Sequence, residues 1–569
     1  MVLAGALGGL MAPTTRAEAD GDRLFSLKVY PVLKAKCFAC HGEDPENIEG
    51  DLNLLSREGM LEGGVSSVSV LVEGHPEQSD LYRAITWEEV GLEMPPKEND
   101  RLSSGQIEDF RNWIKVGAPW PDEAERRKYT DEERAMAVTA EGEILKTSGG
   151  QSEEWTYRRY LPEDLWSLRP VVRGAVPDGQ HPVDFFIDSR RRDAGFRAAP
   201  EADPRVLIRR ATYDLLGLPP EPSEVVRFLD DWELDSGKAW SALIDRLLES
   251  PHYGERWAQH WLDVARYADT GGYSNDYERS NAWRYRDYVI RSFNRDKPYN
   301  QFVTEQLAGD QLADQSVKKR LGKEGEALHK VRLRGEYNEK ESEWLIATGF
   351  LRMGPWDSAM VKAPEARQIY LDDVVNSVGQ TFLATNLRCA KCHDHKFDPI
   401  PTRDYYRIYA AFAGTQMAER RVPFMDAENL RGFKEGQTQV RRLLSFAAER
   451  KNVLLSKQED AARRWFSEKE LPYLAPQKRR SLPDEKKPPR HVGLDHAEQG
   501  RLKVREQDER IWTRRMERYE PLIQGVYDGP DPPEKMNLAL KMRIADKVDR
   551  EWLPESVIYS GGSLEAPGE

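Results

Sequence analysis

All four cysteines of this 569-residue chain fall in two copies of one pattern, Cys-x-x-Cys-His, at KCFACHG (36–42) and RCAKCHDHKFD (388–398). Nothing else restricts the chain as strongly, because each copy ties two thiols and an imidazole to one short turn. Thiols three residues apart, with a histidine directly after the second, have the spacing of covalent c-type haem attachment. On a helical turn, positions i, i+3 and i+4 share a face, so both thiols of a pair meet a porphyrin edge while His41 or His393 turns beneath the iron as proximal ligand. The competing readings are a pooled four-cysteine zinc site, which would not need a histidine after both pairs, and a redox dithiol, for which no thioredoxin-like surroundings appear. The spacing therefore predicts two covalently attached haem c groups, on Cys37 with Cys40 and on Cys389 with Cys392.

The first motif sits in a segment with the shape of a small class-I-like cytochrome c. DRLFSLKVYPVLKAKC carries Leu24, Leu27, Val32 and Leu33, which predicts an N-terminal helix bent at Pro31 and leading into the haem loop. Downstream, Ser103 and Gln106 fit a capping box, and Ile107, Phe110 and Ile114 make the apolar stripe of a helix that Gly117 ends. Between them Met94 precedes Pro95 and Pro96, which stiffen the chain and suit Met94 as the ligand on the far face of the haem; Met60 is the rival.

The net charge of −13 argues against a nucleic-acid partner, because phosphate neutralisation needs a basic face. Residues 2–12, VLAGALGGLMA, are apolar but too short to span a bilayer, and Ala17-Glu18-Ala19 has the small-x-small form of a signal-peptidase site. With no later stretch resembling a membrane span, a periplasmic or otherwise exported protein is expected. The basic start of a signal peptide is missing, so the signal segment (1–19) reads as incomplete.

Residues 123–180 read as a charged linker, and a mostly helical unit begins near His181. Its centre, 250–294, holds Trp257 and Trp261 at helical spacing, followed by the loop Asp269-Thr270-Gly271-Gly272-Tyr273. Carboxylates at Asp263, Asp269 and Asp276, with aromatic Tyr273, Tyr277 and Trp283, suit a polar ligand or a cation. No Met-Pro-Pro loop follows the second motif, so His252, His260, His395, Met353, Met360 and Met417 are the candidates for its sixth ligand, with His260 the first choice. His395 lies too close to His393 to reach the opposite face and is expected, with Asp394 and Asp398, to support the ligand by hydrogen bonding.

The stretches SPHYGERWAQHWLDVARYADTGGY, NAWRYRDYVIRSFN, PYNQFVTEQLAGD, ATGFLRMGPW and RCAKCHDHKFDPIPTRDYYRIYAAF resemble successive motifs of a planctomycete protein family. In that family a cytochrome c-type domain with CxxCH and Met-Pro-Pro precedes a domain of unknown function that ends in a second CxxCH. The resemblance covers residues 22 to about 122 and 181 to about 415. It implies one haem on Cys37, Cys40 and His41 with Met94 opposite, and a second on Cys389, Cys392 and His393. It also implies a third module after Pro567-Gly568-Glu569, so the chain reads as truncated.

The expected architecture is mainly α: signal segment 1–19, cytochrome c-like domain 20–122, linker 123–180, a larger helical haem-binding domain 181–415, and a helical, charged region 416–569 whose 430–520 stretch reads as an exposed insertion. The expected function is electron transfer with a redox partner protein, as part of or beside a periplasmic oxidoreductase system. In a second reading the chain itself oxidises a carbohydrate-like small molecule, with Asp263, Asp269, Asp276 or His260 as general base. A third reading is an extracellular binding or scaffold protein.

Overall fold

The computed structural model describes residues 16–42, 48–65, 70–97, 100–136, 138–140, 142–145, 157–273, 276, 278–322, 326–356, 363–529 and 556–567. The apolar stretch 2–12, Tyr277 and Met360 lie outside the described residues. The fold is mainly α, with two small antiparallel sheets. It divides into two compact units, the first taking in residues up to 145 with 157–171, the second running from 172 onward.

In the first unit, helix α1 (Arg16–Leu24) passes through a π-helical turn, Phe25–Val29, into α2 (Tyr30–Lys36). The expected bend at Pro31 is thus a widened turn just before the proline. Proline has no N–H to give and its ring crowds the carbonyl four residues back, that of Leu27, so the widened turn relieves both problems. Phe25, Val29 and Leu33 are buried by this helix. Helix α3 (Ser104–Lys115) packs on it, and the capping box is present: Ser103 Oγ accepts from Gln106 N, and Gln106 Oε1 accepts from Ser103 N at 2.9 Å. Phe110, Trp113 and Ile114 face the core, where the Phe25 ring lies 5.4 Å from Trp113 and 4.4 Å from Trp120.

The stretch expected as a linker starts inside this unit. Helix α4 (Glu123–Ala135) packs on the π-helical turn, and Arg23 pairs with Glu132 at 3.3 Å and Glu133 at 2.5 Å. Short strands β1 (Val138–Thr139), β2 (Gly142–Ile144) and β3 (Arg159–Tyr160) follow in that order.

After a helix at Pro182–Asp193, the second unit packs three helices, α5 (Pro204–Leu216), α6 (Pro222–Leu234) and α7 (Ser236–Leu248), around Ile208, Phe228 and Leu243. Its main core gathers α8 (Pro251–Val264), α9 (Trp283–Asn294), α10 (Tyr299–Leu321), α11 (Glu339–Ala347), α12 (Ala363–Phe382) and α13 (Thr402–Ala411). Through that core runs an antiparallel ribbon of β4 (Thr415–Arg421) and β5 (Leu522–Asp528), in register from Thr415↔Asp528 to Arg421↔Leu522. The expected division at 415/416 therefore falls at the start of a strand, and the region expected to be helical and charged supplies β5, whose first six residues are all buried.

Between the two strands, α14 (Phe433–Glu468) and α15 (His496–Glu517) form an antiparallel hairpin, tied by Lys451 to Glu509 and by Lys457 to Glu498 at 2.6 Å. At its base the buried Arg284 pairs with the buried Glu428 through Nε–Oε1 at 2.6 Å and Nη2–Oε2 at 2.9 Å. Arg284 also donates to the carbonyls of Val422, Pro423 and Leu522.

Candidate haem sites

The first Cys-x-x-Cys-His makes one helical turn at the end of α2 and stops. Cys37 N donates to Leu33 O at 2.9 Å and His41 N to Cys37 O at 3.0 Å. Gly42 then takes φ +142°, and the Leu55 side chain lies where a Cβ there would go. The return strand of chain is pinned back onto the motif, with Glu49 N donating to Cys40 O and Leu54 N to His41 O. This brings the Glu49 carbonyl within 3.1 Å of His41 Nδ1. A carbonyl can only accept, so Nδ1 carries a proton, and in the neutral ring the lone pair is then on Nε2. That is how a proximal histidine is held, its ring fixed from behind by a main-chain acceptor. Burial beside the apolar core pushes the Cys37 thiol up to about 11, while Cys40 is exposed.

Met94 lies on a loop fixed by main-chain contacts. Its N–H donates to Ala84 O at 3.0 Å, and Trp87 Nε1 donates to its carbonyl at 3.0 Å. Lys36 Nζ donates to Asp100 O at 3.0 Å, joining the chain after Met94 to the residue before Cys37. The Met94 side chain is 42% exposed, whereas its rival Met60 is completely buried among core side chains and has a packing role.

The second motif follows α12 as a 3-10 turn, Arg388–Lys391, with Cys389 and Cys392 both exposed. His393 Nδ1 lies 2.7 Å from the carbonyl of Asp394, so this ring too has a proton on Nδ1, which in the neutral form leaves the lone pair on Nε2. Among the described residues, no hydrogen-bond partner reaches Nε2 of His41 or His393. The following residues, expected to support the ligand, organise the loop. Asp394 Oδ1 accepts from Thr402 N at 2.7 Å at the start of α13, and His395 Nδ1 sits 3.1 Å from both Asp398 N and Asp398 Oδ2.

Polar contacts absent from the sequence reading surround this second turn. Lys391 pairs with Asp372 of α12, whose other oxygen accepts from Tyr405 Oη at 2.6 Å, and Tyr406 Oη donates to Lys391 O at 3.1 Å. Desolvation and the nearby Asp372 push both phenols well above their ordinary range. The segment 556–567 lies across the motif: Tyr559 packs on Tyr406, Gln368 Nε2 donates to Gly562 O at 3.1 Å, and a Cβ on Gly562 would stand 2.9 Å from Cys392 Sγ. Only the bare backbone of a glycine, at φ +75°, fits there. No local periodicity announces this contact; the tyrosine pair of α13 was its one trace.

The other candidates are scattered. His260 is exposed on α8, edge-on to Trp257 with ring centroids 5.5 Å apart, and His252 Nδ1 lies 2.7 Å from Glu255. Met353 is buried in the core, and Met417 is half-buried on β4. Asp263 is exposed near the end of α8. Asp269 and Asp276 share the loop after it, where Tyr267 Oη donates to Asp269 at 2.7 Å and Gly272 N to Asp276 at 2.9 Å. Hydrogen bonds from Thr270 and Gly272 hold the Asp276 carboxyl below its usual range. Among the described residues, no group of three or more His, Cys, Asp and Glu gathers as a metal site.

These donors fit haem c. All four thiols are free, neither imidazole Nε2 has a partner among the described residues, the Leu55 side chain lies against Gly42 of the first turn, and exposed Phe397 follows the second motif. Residues 37–98 match the family model described as Planctomycete cytochrome C, and residues 182–417 match the model described as Protein of unknown function (DUF1549). The chain thus has the domain arrangement of the planctomycete cytochrome c-type family, and the first match implies a haem c cytochrome with an electron-transfer role. No curated protein and no solved structure matches it. No helix among the described residues is long and apolar enough to cross a membrane.

Proposed function

We propose that this chain, a planctomycete cytochrome C segment joined to a segment of unknown function, is an exported dihaem c-type cytochrome that passes electrons to or from a partner oxidoreductase. The supporting observation is the repeated histidine setting: in both motifs Nδ1 faces a main-chain carbonyl, and Nε2 has no partner among the described residues. Cys37 and Cys40 would hold one haem by thioether bonds, with His41 and Met94 as its axial ligands. Cys389, Cys392 and His393 would hold the other. Haem c supplies a one-electron carrier, and the protein tunes it through axial ligand and burial. A hydrogen bond to Nδ1 fixes each ring and strengthens its basicity at Nε2.

Direct oxidation of a carbohydrate-like molecule is the weaker reading. Asp276 is held ionised by its hydrogen bonds and is a poor base, and Asp269 is engaged by Tyr267. Protein made in a host with cytochrome c maturation machinery should give two haems per chain by pyridine haemochrome and intact mass. One haem per chain would remove the dihaem claim, and none would return the cysteines to other chemistry.

A further inference from the structure

One buried part of the second unit gathers guanidinium, indole and phenol donors, with two unmatched amide oxygens, Asn281 Oδ1 and Asn376 Oδ1, near them in the chain. Arg279 is buried and donates only to carbonyls, to Met353 O at 2.9 Å and to Gly354 O. Arg352, next in the chain to Met353, is buried and donates to the carbonyls of Ala418 at 3.2 Å and Gly525 at 3.1 Å. Neither forms an ion pair among the described residues. Asp276 is taken by Gly272 N, and Glu419, the carboxylate that acts most strongly on Arg352, pairs with Arg514. A third guanidinium, Arg266, pairs with Asp373 at 2.5 Å.

Among the described residues, three further buried donors in this region have no acceptor: Tyr370 Oη, Trp356 Nε1 and Arg266 Nε. They are contiguous. Trp356 and Tyr370 have ring centroids 6.0 Å apart, Trp356 N donates to Gly271 O, and Tyr370 lies one turn from Asp373 on α12. Burying donors without a match is costly, so such a concentration favours an added acceptor. Arg279 is disfavoured by its burial and by the neighbouring Arg352, which an anion would relieve.

We infer that Arg266, Arg279, Arg352, Trp356 and Tyr370 form an oxyanion-binding site, for a carboxylate or phosphate group of a ligand. Two sources supply such a group: a free acidic small molecule, or a propionate of the haem at Cys389 and Cys392, the second of which rests on the function proposed above. The second source is considered because one helix, α12, carries a partner of each region: Asp372 pairs with Lys391 inside the motif, and Asp373 with Arg266.

The test titrates inorganic phosphate, against chloride at equal ionic strength, into the full chain and into its C389S/C392S variant, following heat and thermal midpoint. Phosphate is expected to bind and to raise the midpoint of the C389S/C392S chain. R279Q should weaken binding roughly tenfold or more, the scale of a charged hydrogen bond. Y370F should weaken it too while leaving the ligand-free midpoint equal or higher, since it removes an unmatched hydroxyl; this arm survives any misfolding of R279Q. Binding to both chains identifies a free ligand, and binding to C389S/C392S alone identifies the propionate. No phosphate response in either chain, or one that neither R279Q nor Y370F alters, overturns the site. Haem content measured on the same samples separates the two ideas: phosphate binding by a chain with a single haem sinks the dihaem reading and leaves this site standing.

Discussion

The same five-residue motif occurs in two different surroundings. In the first unit it closes a helix whose apolar face is Phe25, Val29 and Leu33, Cys37 is half-buried, and a tryptophan-braced loop presents Met94. In the second unit both thiols are exposed, and the turn is held by the Lys391–Asp372 pair, two tyrosines and the backbone of Gly562. The first turn is held by packing and the second by polar contacts. Since axial ligand, burial and hydrogen bonding set a haem potential, identical motifs in these settings should differ in potential.

The comparison breaks most completely if the motifs are not independent. C37S/C40S and C389S/C392S should each remove one of two haems from the pyridine haemochrome and leave the other; a single variant that abolishes both would sink the two-site picture.

Next in size is stability. R284M strands the buried Glu428 carboxylate and should cost about 3–5 kcal/mol, while R284M with E428M should recover much of that. Denaturant melts should show the loss in the second unit, with the haem at Cys37 and Cys40 still attached.

Replacing Met94 by alanine should lower the potential of one haem only, by on the order of 0.1 V, in a spectroelectrochemical titration. A shift in neither haem would show that Met94 is not a ligand.

The smallest effect is a pH slope. Burial, with Asp314 and Asp528 adding to it against Arg420, pushes the Asp310 carboxyl up to about 6. A carboxyl raised on folding binds its proton more tightly in the folded state, so it favours the fold at low pH and that advantage is lost as pH rises from about 4 to about 6. D310N should flatten this part of the stability profile, and an unchanged slope would remove Asp310 as its cause.

What the sequence revealed is what short-range chemistry encodes. Cys37, Cys40 and His41 act within five residues, and Ser103 with Gln106 within four, so spacing alone exposes them. The helical stripe of Ile107, Phe110 and Ile114 was legible for the same reason. The β4–β5 ribbon was not, because Thr415 finds Asp528 only across a long excursion and a seven-residue strand buried on both sides has no alternation to read. The roles of Asp394 and His395 were likewise hidden, since a side chain that caps a turn and one that steadies a ligand look the same in a list of residues.

The chain leaves the ribbon at Arg421 and returns at Leu522, and Val422 N donates to Pro521 O at 2.8 Å across that gap. The helical hairpin is thus an excursion that departs from and comes home to one place. Its length is free to change between relatives without shifting a single pair of the ribbon, because lengthening a closed loop costs little once its ends are joined. The reverse holds for order of assembly: the strand that completes the core around the second motif reaches it only after the whole excursion has been made, so any shortened product ending before Leu522 carries the second Cys-x-x-Cys-His on an unfinished core.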